Sequence, residues 1–205
     1  MNYLEYFSIN SIVILSFFAI SFIVIVLDRI TNGKSNDTFF KLKRGSPMDI
    51  MTYIRLLTYP FGHSGWTHFA GNFSYILLIG PLLEEKYGSI ELLIMMISTT
   101  LIIGLFHIIT SKDSALGASG IVYMMIVLAS FVNIKAGKIP ITLILILLIH
   151  VISEFEPLII QKKNDNTNHV AHLVGAFTGL LYGIMYMHGQ TIIGFISKYL
   201  NFSIK

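Results

Sequence analysis

The sequence predicts an all-α polytopic membrane protein: a bundle of six transmembrane helices with a long first loop that contains an interfacial helix. Three observations point there. First, the chain is 54% hydrophobic and only 12% charged, with a mean hydropathy of +0.73. A chain of 205 residues encloses too little interior to hide that much apolar surface from water. Second, apolar runs approaching the length that crosses a bilayer, about 20 residues, recur along it. Third, the side chains able to do chemistry gather at the heads of alternate runs. The length suits one domain, 1–205, with its core at about 50–190.

The first run covers about Ile9–Leu27. Met1–Phe7 holds no Lys or Arg, and no small-residue cleavage site follows, so the run reads as a retained helix and not a signal peptide. The second covers about Trp66–Leu83 and is unusually polar, with His68, Asn72 and Ser74. The third runs from about Ile90 to Ile109 and the fourth from about Leu116 to Ile134. The fifth runs from about Ile139 to Ile152, with Pro140 tolerated in its first turn. The sixth runs from His169 to Met187, and the remaining tail is too short and polar for a seventh.

Between the first two runs lies Asp28–Gly65, long enough to expect a function of its own. Within it, Ser46 is placed to cap a helix, with Pro47 at its first position and Asp49 three residues after the cap. The "IMTYIRLLTYPF" that follows is amphipathic and predicts a helix lying in the membrane interface. With the N-terminus inside, Lys86, Lys135, Lys138, Lys198 and Lys205 face inward. Arg29, Lys34, Lys41, Lys43, Arg44, Arg55, Lys112, Lys162 and Lys163 face outward, against the positive-inside rule.

Several chemistries are disfavoured. There is no cysteine, hence no disulfide and no thiolate metal site. A net charge of +3 spread over loops does not suggest a nucleic-acid partner. His169 and His172 are three apart and His63 and His68 five apart, but no HExxH occurs and no carboxylate accompanies them, so no metal site is expected.

Consecutive spans alternate direction, so the heads of the second, fourth and sixth lie on one side of the membrane. They read "HFAGN", "GASG" and "HVAHLVGAFTG". His68 and Asn72, four apart, share a helix face, as do Ser119 and Tyr123. His172, Gly175 and Gly179 line one stripe, and small residues let membrane helices approach closely. With Gly117 and Gly120 thinning the fourth span, the two helices can press together and bring Ser119 within hydrogen-bond reach of His172.

A serine hydroxyl attacks only when a base takes its proton, and a neutral imidazole does that near pH 7. No acidic residue lies on the His172 stripe, which predicts a Ser119–His172 dyad without a third member. Tyr123, one turn below the serine, is placed to pack on the imidazole. The N–H of Ser119, the Asn72 amide and the His68 imidazole are candidate donors to a developing oxyanion. In soluble proteases such donors contribute roughly 3–4 kcal/mol each.

These residues resemble the rhomboid family of intramembrane serine proteases. "HFAGN" is similar to the family's HxxxN, "GASG" to its GxSG and "AHLVGAFTG" to its AHxxGxxxG. "GPLLEEKYGS" looks like the segment that ends the family's second helix. The likeness runs from about Arg55 to Gly183. It implies a six-helix fold whose short fourth helix rises from a water-filled cavity, with the N-terminus in the cytoplasm and the site near the outer face. Carried over by position, Ser119 matches the nucleophile, His172 the base, and His68, Asn72 and the Ser119 N–H the oxyanion hole. Tyr123 matches the tyrosine that stacks on the base, and Glu84 an acidic residue of a structural hydrogen-bond network. Two departures stand out. The family's Trp-Arg is Ile54-Arg55 here, and His169 precedes the base at a position to which no role is assigned.

The expectation is a cofactor-free serine endopeptidase, multi-pass in the cell membrane. It would cut transmembrane segments of other membrane proteins near the outer face, with those proteins and membrane lipid as its partners. The alternative is a non-catalytic rhomboid-like binder or chaperone of membrane helices. A transporter would also put polar groups at mid-membrane, but neither repeats nor paired broken helices are detectable.

Overall fold

The computed structural model describes residues 10–132, 141–160, 169–189 and 194. Over these the chain is helical. Helix α1 is Ile12–Ile30, α2 Ile50–Thr58, α3 Trp66–Tyr87, α4 Ser89–Thr110, α5 Ser119–Ala129, α6 Ile141–Ile160 and α7 His169–Met187. A π-helical turn, Asn36–Phe40, and a 3-10 turn, Tyr59–Phe61, lie within the first loop. Among the described residues, α1, α4 and α7 are long and apolar enough to cross a membrane, and α5 is a shorter apolar helix. Many of their large apolar side chains face outward, such as Ile23, Ile97 and Phe177, as lipid-exposed helices require.

Helix α1 starts later than expected and ends later. It runs on through Asp28 and Arg29 because Asp28 has partners: its carboxylate accepts from the Asn36 N–H at 3.0 Å and the Ser35 hydroxyl at 3.3 Å. At the other end, the buried Glu84 carboxylate of α3 accepts the free N–H groups of Val13 (3.0 Å) and Ile14 (3.1 Å) and the Ser89 hydroxyl (2.7 Å). One acid thus ties the starts of α1 and α4 to the end of α3. The first N–H groups of a helix have no intrahelical acceptor, and a carboxylate there also suits the helix dipole.

The cap of α2 corrects the expectation. The helix begins at Ile50, and Asp49, not Ser46, is the cap, accepting from the Met51 N–H at 3.0 Å. Ser46 and Pro47 form the preceding turn, in which the Asp49 N–H donates to the Ser46 carbonyl. Thr52 and Leu56 point inward, whereas Ile50, Tyr53, Ile54 and Leu57 are exposed. Arg55 donates from Nε to the Thr38 carbonyl at 2.9 Å, so the loop is anchored without the aromatic neighbour.

Helix α5 starts later than expected because Gly117 adopts φ +122°, a conformation a helix cannot contain and other residues rarely adopt, and it ends earlier, in a turn where the Ser130 and Phe131 N–H groups donate to the Val127 and Leu128 carbonyls. The fifth run extends further than expected, to Ile160, and Pro140 lies outside the described residues. Helix α5 is the centre of the fold: Met124, Met125, Val127 and Leu128 are fully buried. It packs most intimately on α7. A Cβ at Gly175 would overlap the Gly120 carbonyl, and one at Gly179 the Met124 carbonyl. The helices therefore touch backbone to backbone. A Cβ at Gly120 would meet both Ile103 of α4 and, at 3.4 Å, the Ala171 carbonyl of α7, whereas one at Gly117 would meet His68 of α3.

Candidate active site

The α5–α7 contact sets the central geometry. His172 is buried on α7, and its Nε2 lies 2.9 Å from Oγ of Ser119, the first residue of α5. At that separation the hydroxyl donates to an unprotonated Nε2. The rings of Tyr123 and His172 stack, 4.2 Å apart and 8° from parallel. The ring of His169 meets that of His172 edge-on at 6.3 Å. As the first residue of α5, Ser119 offers its N–H with no acceptor inside the helix.

Helix α3 brings His68 and Asn72 to the same place. A Cβ at Gly117 would lie 2.8 Å from His68 Nε2 and 3.6 Å from Asn72 Nδ2, so the backbone just before Ser119 rests on both side chains. The other nitrogen of His68 faces Ser64. Nδ1 receives the Ser64 N–H at 3.5 Å and lies 3.1 Å from the Ser64 hydroxyl. In the tautomer that accepts this N–H at Nδ1, Nε2 carries the proton and faces the serine loop. Asn72 Nδ2 is buried with no hydrogen-bond partner. A buried, unsatisfied donor is costly, and active sites are where such donors persist.

Two residues here escaped the sequence reading. Ser64 sits in a loop, and nothing in its spacing marked it as the partner of His68. His63 entered only as one half of a metal-like spacing. It is fully buried, with Nδ1 3.2 Å from the Phe61 carbonyl and its ring 5.1 Å from that of His68. Burial, and then the neighbouring His68, lower its pKa from 6.5 to about 4, with the bond to Phe61 opposing them. At neutral pH it is uncharged, so Nδ1–H donates to that carbonyl.

The arrangement can pass a serine proton to an imidazole, stack an aromatic ring on that imidazole, and present N–H donors beside the serine. The sequence profile of the Rhomboid domain matches residues 51–189, a stretch that contains every one of these site residues. Comparison with curated proteins gave no match.

Proposed function

The chain belongs to the rhomboid family, and on that premise we propose that it is an intramembrane serine endopeptidase working through a Ser119–His172 dyad. The observation that carries this reading is the 2.9 Å approach of His172 Nε2 to Ser119 Oγ, made across the closest helix contact in the fold. A non-catalytic binder of membrane helices gains nothing from a hydroxyl and an imidazole held at that distance.

In the proposed reaction His172 Nε2 takes the Ser119 proton as Oγ attacks the scissile carbonyl. The oxyanion receives hydrogen bonds from the Ser119 N–H, His68 Nε2–H and Asn72 Nδ2. The imidazolium then gives its proton to the leaving amine, and the acyl-enzyme forms. Water, deprotonated by the same imidazole, releases the acyl group and regenerates the hydroxyl. Tyr123 holds the ring in register. No cofactor enters the scheme.

We read the whole chain, 1–205, as one rhomboid-like domain with its core at about 50–190, spanning the cell membrane six times through α1 and α3–α7. Helix α2 lies in the interface, its apolar face of Ile50, Tyr53, Ile54 and Leu57 turned to lipid. Helix α5 has 11 residues and at 1.5 Å per residue rises only about 16 Å, roughly half a hydrocarbon core of about 30 Å. Its serine head therefore sits submerged and needs water admitted from one face, which we take to be the outer one. Substrates are transmembrane helices of other proteins. Their scissile carbonyls are freed most easily near glycine, proline or other weak helix formers.

The test is reconstitution with a fluorogenic transmembrane substrate. The unmutated chain cleaves it, and Ser119→Ala and His172→Ala fall to background. Cleavage that survives in both variants rules the dyad out, and a chain that cleaves no member of a substrate panel favours the binder.

A further inference from the structure

The first loop grips the connection that carries Ser119 at three successive places. At the end of α4, Arg44 donates from Nε to the Ile108 carbonyl at 2.9 Å and from a terminal nitrogen to the Ile109 carbonyl. Further on, Leu42 and Ala115 pair as an antiparallel bridge, with N–H to O distances of 2.9 and 2.8 Å in the two directions. Beside the serine, the Gly117 N–H donates to the Tyr59 carbonyl at 3.0 Å. Leu42 and Ala115 are buried, so the pairing is sheltered from competing solvent.

Apolar packing also fixes the connection: Ala115 and Ala118 are buried in the core. Two local bonds shape its start: the Asp113 N–H to the Ser111 hydroxyl, and His107 to the Asp113 carbonyl. The α5–α7 contact sets where Ser119 stands relative to His172, and the three anchors steady the chain that leads into it. Arg44 suits its end of the grip for a chemical reason. The last carbonyls of α4 point along the axis without intrahelical donors, and the dipole there favours a cation. A planar guanidinium reaches two successive carbonyls at once, whereas an ammonium is a single compact charge.

We infer that the first loop is a template holding the nucleophile at its working distance from the base, with Arg44 a positioning residue of the reaction. This rests on the serine-protease reading above. Arg44 touches neither substrate nor reacting atoms; it acts through α4's last turn on the serine loop. Loosening one of three anchors leaves Ser119 present but less often in attack geometry, to which rates are steeply sensitive.

The experiment compares the full chain with Arg44→Ala and Arg44→Lys in proteoliposomes. It reads both the rate constant and the final extent of Ser119 labelling by a fluorophosphonate, beside kcat and KM for a transmembrane substrate. Arg44→Ala is expected to reach full labelling at about one tenth of the rate, with kcat down about tenfold and KM within twofold. Arg44→Lys falls between. Rates within twofold of the unmutated chain overturn the inference. So does an unchanged rate constant with a reduced final extent, which marks a merely structural role. An unmutated chain that neither labels nor cleaves sinks the protease reading, and this inference with it. Normal labelling in Arg44→Ala sinks this inference alone. A second arm exploits the absence of native cysteine. Leu42→Cys with Ala115→Cys joins residues whose hydrogen-bonded antiparallel pairing puts their Cα atoms about 5.5 Å apart, within disulfide range. The oxidised form should match its own reduced form in activity. Loss on oxidation, regained on reduction, would mean the loop must let go during turnover.

Discussion

Tyr123 lies flat on His172, its ring 4.2 Å from the imidazole and 8° from parallel. The two sit on different helices, so the stack holds the imidazole from the side of Ser119's own helix. A contact of this kind is worth about 0.5–1.5 kcal/mol beyond the area it buries. Tyr123→Phe keeps the ring, and kcat should stay within about threefold. Tyr123→Ala frees the imidazole, and kcat should fall about tenfold, in line with that energy. Steady-state cleavage of a transmembrane substrate by the two variants checks this. Equal activity in both would deny the tyrosine an orienting role.

Glu84 is a cap supplied from another helix. Its carboxylate takes the Val13 and Ile14 N–H groups and the Ser89 hydroxyl. Bonds to a charged acceptor contribute about 1.5–3 kcal/mol each, and of the partners left behind Ile14 is buried and Val13 and Ser89 are half-buried. Glu84→Ala should lower stability by several kcal/mol, and Glu84→Gln by less, because the amide oxygen still accepts. Thermal unfolding in detergent, followed through the single tryptophan, Trp66, measures both.

Gly179 rests on the Met124 carbonyl with no room for a methyl group. Gly179→Ala must push α7 off α5, and overpacking of this kind costs about 1–3 kcal/mol. The same displacement separates His172 from Ser119, so fluorophosphonate labelling should slow by more than the stability loss alone accounts for. Gly71, with open space where a Cβ would stand, is the control: Gly71→Ala should leave labelling unchanged.

His63 makes stability depend on pH. Its folded-state pKa is about 4 against 6.5 for an unperturbed histidine. Between those values the unfolded chain binds a proton that the folded chain refuses. The penalty is absent above pH 6.5, grows as pH falls toward 4 and is constant below. At about 1.4 kcal/mol per unit its limit is about 3 kcal/mol. His63→Asn should flatten the acid side of a melting-temperature profile. An unchanged slope in that variant would show that other groups carry it.

Much of this was legible because the information was local. The bounds of α7, His169–Met187, and the start of α3 at Trp66 coincide with changes of composition. The spacing of His68 with Asn72 and of Ser119 with Tyr123 is simple helical geometry. What escaped depends on local turns that periodicity does not show and on partners distant in sequence. Ser46 has the better capping pattern, but the turn it forms with Pro47 hands the cap to Asp49. Ser64 gains meaning only from the His68 ring it touches. The pairing of Leu42 with Ala115 and of Arg44 with the end of α4 joins segments whose periodicities say nothing of each other. Gly117 and Gly120 share a short motif, yet one faces α3 and the other lies between α4 and α7, a division that only the assembled bundle decides.

The most direct measurement is site-mapped labelling by a fluorophosphonate in proteoliposomes, run on the unmutated chain and on His172→Ala. The account predicts a single phosphonylated residue, Ser119, modified at least a hundredfold faster when the imidazole is present. Modification of another residue instead, or labelling of Ser119 at the same rate in both proteins, would contradict it.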